Sequence, residues 1–183
     1  AVLLRFFRGL QFEHIDYYIP DRFAEGYGMN QDAMKILHER GTRLIITVDC
    51  GINAFDSVST ANELGIDVII TDHHQLTAGG VPNAIAVVNP HRPGDGYPFK
   101  HLTGVGVAFK LVQALIARLP STLYPLLSGF EKWLLDLVAI GTVADCQSLL
   151  GENRILVKWG LFVLGKTRWI GLRKLMKLAG ISR

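Results

Sequence analysis

Apolar residues recur along this chain at two different periods, and the change between them divides it. From Ala1 to Leu10 they fall at helical spacing, with Arg5 and Arg8 between them, which predicts a helix. Glu13 to Ile19 alternates weakly and stops at Pro20, the pattern of a strand. Asn30 to Arg40 is amphipathic, with Ala33, Met34, Ile36 and Leu37 on one face and Gly41 placed to close the helix. Leu44–Val48, Asp67–Thr71 and Ile85–Val88 are short apolar, β-branched runs, the composition of strands buried on both faces. Asn53 to Leu64 supplies a crossover helix, ended by Gly65. This β-α-β-α-β rhythm predicts an α/β fold: a doubly wound, mainly parallel sheet with flanking helices and right-handed crossovers.

Beyond Asn89–Gly96, a turn-rich stretch with two prolines and two glycines, the pattern becomes helical. Helices are predicted at Gly104–Leu119, Phe130–Ala144, Glu152–Leu164 and Trp169–Leu178. The expected organisation is one domain over residues 1–183, with a sheet part at 1–90, a loop at 91–102 and a mostly helical portion at 103–183. Trp133, Trp159 and Trp169 are expected in the core. The opening Ala1-Val2-Leu3-Leu4 already has helical character, so the chain is expected to be part of something longer.

Charge changes the picture more than bulk composition does. The net charge is +3. Residues 152–183 carry eight basic groups and one acidic group, leaving the remainder at −4. A basic end beside an acidic, carboxylate-bearing part suits a polyanion handled near metal ions; solvated helix faces are the plainer explanation of any single lysine. No apolar run approaches the roughly 18 residues that a membrane span needs. Cys50 and Cys146 lack zinc-pair spacing and suggest no disulfide framework, so the reducing cytoplasm is the expected compartment.

The chemistry collects where apolar runs stop. Asp49 follows one strand, and Asp72-His73-His74 follows the next. Ligands of open α/β sheets gather beyond the carboxyl ends of the strands. One such Asp is as often a helix cap as a ligand, but consecutive strand ends closing in Asp and in Asp-His-His make capping alone a poorer account. Asp145 closes the apolar helix that ends in Gly141-Thr142-Val143-Ala144, where a carboxylate should face water, a cation or a donor. Asp49, His73 and Asp145 form a mixed oxygen and nitrogen set suited to Mn2+ or Mg2+. The loop from Pro20 to Gly28 joins a guanidinium, carboxylates, aromatic rings and two glycines. It fits close approach to a phosphodiester or an ordinary turn, and composition does not decide between them.

Val48-Asp49-Cys50-Gly51, Thr71-Asp72-His73-His74 and Gly141-Thr142-Val143-Ala144-Asp145 resemble three motifs of the DHH phosphoesterases. Two longer stretches, Ile19–Gly28 and Asn89–Lys110, resemble the RecJ-type branch of single-strand-specific exonucleases. The resemblance implies a two-metal site with Asp49 bridging the ions and His73 and Asp145 holding one. It also implies that Asp72 stands behind the ligands and orients an imidazole by accepting its other N–H. His74 would donate to a phosphate oxygen, or serve a structural hydrogen bond. Arg22 is the candidate grip on a terminal phosphate and Tyr27 a platform for a base. His91, Arg92 and Lys100 are further candidates for backbone contact, although a solvated loop accounts for them nearly as well.

The implied activity is 5′-to-3′ hydrolysis of single-stranded DNA to mononucleotides in repair and recombination. Two alternatives remain: a hydrolase of short oligonucleotides, cyclic dinucleotides or pyrophosphate, and a non-catalytic replication scaffold on the same fold. Dependence on substrate length separates the first, and loss of ligand residues would mark the second. The family also carries an Asp-x-Asp strand just before the helix with which this chain begins, and a later domain that clamps the nucleic acid. Without them the 183 residues are expected to be weak or inactive alone.

Overall fold

The computed structural model describes residues 1–120, 122–123 and 129–181. The remaining residues of the helical portion, 121, 124–128 and 182–183, lie outside the described residues. The chain divides into two compact units, His14–Ala108 and Ala1–Glu13 with Phe109–Arg183.

The unit His14–Ala108 contains a parallel sheet of three strands, β1 (Leu44–Val48), β2 (Asp67–Thr71) and β3 (Ala86–Val88), in the order β1-β2-β3. Helix α1 (Val2–Gly9) belongs to the other unit; α2 (Gln31–Glu39) and α3 (Phe55–Glu63) flank the sheet. The Asn30 side chain starts α2 by accepting the Ala33 N–H at 2.7 Å, satisfying one of the donors a helix start leaves open. Ala33 and Met34 of α2, Val58 and Ala61 of α3, Ile66, and Val68 and Ile70 of β2 form one buried cluster. Val68 and Ile70 are fully buried because β2 is the central strand.

Register does the positioning. Val48 pairs with Thr71 and Thr71 with Val88, so the three strands end level. The ladder continues one residue further, with Asp49 N–H donating to Thr71 O and Asp72 N–H to Val88 O, each at 3.0 Å. Asp49, Asp72 and Asn89 are therefore neighbours along the carboxyl edge, though far apart in sequence.

Two expectations for this unit are corrected. Glu13–Ile19 forms no strand: Tyr17 and Ile19 are exposed, and among the described residues no strand pairs with the segment to reward its weak alternation. β1 is not buried on both faces, for it is an edge strand with Leu44 and Val48 exposed.

Helix α4 (Gly104–Arg118) begins in this unit and continues into the other. There, the expected helix Phe130–Ala144 is a 3-10 turn, Phe130–Leu134, followed by α5 (Leu135–Ala144); α6 (Gly151–Leu164) and α7 (Ile170–Leu178) come after it. A Cβ at Gly160 of α6 would overlap the Leu135 carbonyl and the Ala139 Cβ, so α5 and α6 approach closely only because position 160 has no side chain. Asp136 is buried and fully occupied, accepting from Thr167 Oγ1 at 2.6 Å, the Leu137 N–H at 2.7 Å and Trp169 Nε1 at 3.2 Å. Arg5 lies 3.4 Å above the Trp169 ring, and Arg168 lies 3.6 Å above Trp133. Trp159 is exposed rather than in the core, because it projects from the outer face of α6. Among the described residues no helix is long and apolar enough to cross a membrane.

Candidate metal centre

The turn after β1 carries the first candidate ligand, Asp49. Asp49 adopts the left-handed conformation, φ +64°, which Asp tolerates better than most residues but which still stores strain. Threonines hold the turn: Thr47 Oγ1 donates to Cys50 O at 2.7 Å and accepts the Thr71 N–H at 3.2 Å, while Thr71 Oγ1 donates to Thr47 O at 2.5 Å. Gly51, at φ +109°, completes it; a Cβ there would press on Thr47 Oγ1. The Cys50 thiol is pushed up to about 11, first by burial and then by the Asp72 carboxylate, as for a small buried hydrophobe.

Asp72 organises the second strand end. It is buried, with Oδ2 accepting the Ile52 N–H at 3.0 Å. Its Oδ1 accepts the N–H groups of His73 at 2.7 Å and His74 at 3.2 Å, and lies 2.7 Å from His74 Nδ1. An oxygen already accepting two N–H bonds makes Nδ1 the donor, so His74 presents Nε2 away from Asp72. The imidazole oriented by Asp72 is thus that of His74. Asn89, at the end of β3, ties the same loop down by donating to His74 O at 2.9 Å.

Ligand atoms of Asp49, His73 and His74 all lie within 4.8 Å of one another. Asp49 Oδ1 is buried, 3.0 Å from His73 Nε2, and accepts no hydrogen bond from a described residue. A separation this short lets one cation reach both the carboxylate oxygen and the imidazole nitrogen. That fits a divalent cation bound through carboxylate oxygen and imidazole nitrogen.

The loop before α2 brings Arg22 and Tyr27 to this end of the sheet. Tyr27 Oη lies 3.5 Å from Asp49 O, and Arg22 Cζ is 5.3 Å from the Tyr27 ring centroid. Burial, and then the Asp49 charge, raise the Tyr27 hydroxyl above its ordinary value. The loop is built rather than slack: Asp21 Oδ1 accepts the N–H groups of Phe23 and Ala24, and Glu25 accepts from Asp21 N–H at 2.9 Å and from the Tyr18 hydroxyl.

The other candidates have visible structural work. His91 Nδ1 is 3.1 Å from Gln75 Nε2, and its own N–H goes to Asn89 Oδ1 at 2.8 Å. Burial, then the neighbouring His73, lower the His91 imidazole. Arg92 donates to Val87 O at 3.0 Å and Lys100 to Asp95 O at 2.8 Å, so both brace the loop after β3. Asp145 caps the C-terminus of α5 and is exposed, and Cys146 beside it is left-handed at φ +55°.

Two contributors leave little trace in the sequence. The Ile52 N–H, which fixes Asp72, carries no side-chain signal. Gly104, against which the Asp49 carboxylate packs, offers only the weak signal of a glycine opening a helix.

A parallel α/β sheet with Asp and His side chains converging at its carboxyl edge is an arrangement that a metal-dependent phosphoesterase can use. Residues 1–142 match the family described as DHH family, N-terminal domain, and the chain belongs to that family. It is 51% identical to the single-stranded-DNA-specific exonuclease RecJ of Bacillus subtilis (strain 168), over 91% of this chain and 20% of that protein. Against RecJ of Escherichia coli (strain K12) the identity is 42%, over 94% of this chain and 30% of the relative. The crystal structure of exonuclease RecJ bound to manganese superposes with a TM-score of 0.82 at 36% identity, covering 99% of this chain and 44% of that one. RecJ in complex with Mn2+ from Thermus thermophilus gives 0.76 at 33% identity, over 99% and 24%. The chain spans 20–30% of the length of these two sequence relatives.

Proposed function

We propose that this chain is the metal-binding part of a 5′-to-3′ exonuclease that hydrolyses single-stranded DNA to mononucleotides. The convergence of Asp49, His73 and His74 at one strand edge carries the reading. The likeness to RecJ supports the substrate, and the two manganese-bound neighbours support Mn2+, with Mg2+ as the other hard cation that this donor set suits.

Asp49 and His73 would hold a divalent cation at the described edge, and the family resemblance implies Asp145 as a further ligand residue. Bound divalent ions would supply a water made nucleophilic near neutral pH and charge to stabilise the displaced oxygen. The chain's own residues do the rest. Asp72 holds His74 by Nδ1, so Nε2 of the neutral ring offers a lone pair to a cation, and it donates to a phosphate oxygen only when the ring carries a second proton. Arg22 offers a planar fork to a terminal phosphate, and Tyr27 beside it offers a ring face to the adjoining base. His91, Arg92 and Lys100 contribute positive or polar groups along the departing strand. The proposed compartment is the cytoplasm.

The test uses the longest natural form of the protein carrying these residues. It is incubated with Mn2+ and a long 5′-phosphorylated, end-labelled single strand, with blunt duplex, dinucleotides and pyrophosphate in parallel. Stepwise release of mononucleotides from the long strand, with duplex spared, is expected. Turnover confined to dinucleotides or pyrophosphate would replace this reading with the small-substrate one.

A further inference from the structure

We propose that Gly104 is a positioning residue for Asp49: its missing side chain is the space in which the metal-facing oxygen sits. A Cβ built on Gly104 would overlap Asp49 Oδ1, Cγ and Cβ together. Oδ1 is the same oxygen that lies 3.0 Å from His73 Nε2. Any side chain at 104 therefore contends with the ligand atom itself, not with an incidental neighbour. This inference rests on the reading of Asp49 as a metal ligand given above.

Neither partner can step aside. Asp49 is held by its left-handed backbone and by its N–H bond to Thr71 O, and because its Cβ is struck too, rotating the carboxylate gives no relief. On the other side, Leu102 and Thr103 are buried, and Thr103 caps α4 by accepting the Gly106 N–H at 3.1 Å through Oγ1. The start of α4 is thus held by a buried cap.

The glycine is not there for backbone freedom. Gly104 does not occupy the left-handed region, so alanine is allowed by its backbone and favoured by helix propensity. Helix propensity thus predicts that Gly104→Ala stabilises, and the packing predicts that it displaces Asp49. Opposite signs make the question decidable.

Gly104→Ala is made in the full natural protein, with Gly171→Ala in α7, where a Cβ meets nothing within 4 Å, as the propensity control. Mn2+ affinity is read by the electron paramagnetic resonance of free Mn2+, and the melting temperature of the metal-free protein by circular dichroism. Gly104→Ala is expected to weaken Mn2+ binding about 10–100-fold, the range for loss of a group that orients a ligand, whereas Gly171→Ala leaves it unchanged. It should also lower the metal-free melting temperature with Asp49 present, and no longer do so in an Asp49→Gly background, where the struck atoms are gone. Wild-type Mn2+ affinity in Gly104→Ala, or a double variant as damaged as Gly104→Ala alone, would overturn the inference. If the wild-type protein binds no Mn2+, the metal reading of Asp49 falls, and the melting cycle by itself still decides whether Gly104 makes room for that carboxylate.

Discussion

Asp72 Oδ1 lies 2.7 Å from His74 Nδ1 while Asp72 Oδ2 accepts the Ile52 N–H, so one buried carboxylate joins an imidazole to the turn that follows Asp49. Asn at this position keeps one acceptor oxygen and turns a donor toward the other side. Asp72→Asn should destabilise the protein by about 1–3 kcal/mol through a stranded buried donor, and lower activity by misorienting His74. Urea denaturation and single-strand degradation measure the two effects. An unchanged turnover number would mean that His74 needs no orientation by Asp72.

The loop bearing Arg22 and Tyr27 should be sensitive to acid. Glu25 is held below the ordinary carboxylate value, first by the Asp21 N–H and then by the Tyr18 hydroxyl. A carboxylate lowered in the folded state contributes order above its unfolded pKa, and that order is lost as pH falls through the folded value. The Asp21 amide resonance should therefore titrate with a midpoint below 4.5, the unperturbed Glu value, and Glu25→Gln should abolish that step. A midpoint at or above 4.5 would contradict the arrangement.

The two thiols should react differently. Cys50 is held at about 11 by burial and the Asp72 charge, so almost none of it is thiolate at neutral pH, whereas Cys146 is exposed. Iodoacetamide near neutral pH should alkylate Cys146 first, and Cys50 only on unfolding, as read by peptide mass spectrometry. Equal rates in the folded protein would show Cys50 to be open to reagent.

Gly160→Ala tests the packing of α5 on α6. Its Cβ would meet the Leu135 carbonyl, which is backbone and cannot rotate away. The expected loss is about 1–3 kcal/mol despite the helix-favouring substitution, measured by thermal or urea unfolding. Stabilisation would mean the helices can part freely.

What can be read from the sequence is whatever leaves a local trace. Leu44–Val48 and Asp67–Thr71 are β-branched runs between Gly41 and Gly65 and beyond, and both are strands with those bounds. Asp49 and Asp72-His73-His74 are legible as strand-end chemistry, because an abrupt change from apolar to ionisable is visible one residue at a time. Glu13–Ile19 misleads because a strand is realised only by a partner, and the alternation of one segment says nothing about whether a partner exists. Trp159 misleads because a large ring suggests burial, while its place on α6 faces outward. Nor does the sequence say which imidazole Asp72 serves, or that Gly104 and Asp49 touch. Those facts belong to the register of three strands and the entry point of α4.

The outer edge of β1 has a consequence for handling the protein. Its ladder is satisfied by β2 on one side only, and among the described residues no strand pairs with the other side. Leu44 and Val48 reach solvent on that strand. An open backbone edge flanked by apolar side chains is a template for another chain. Solutions of these 183 residues should accordingly thicken into oligomers as concentration rises, and a lysine at position 44 should keep them dispersed.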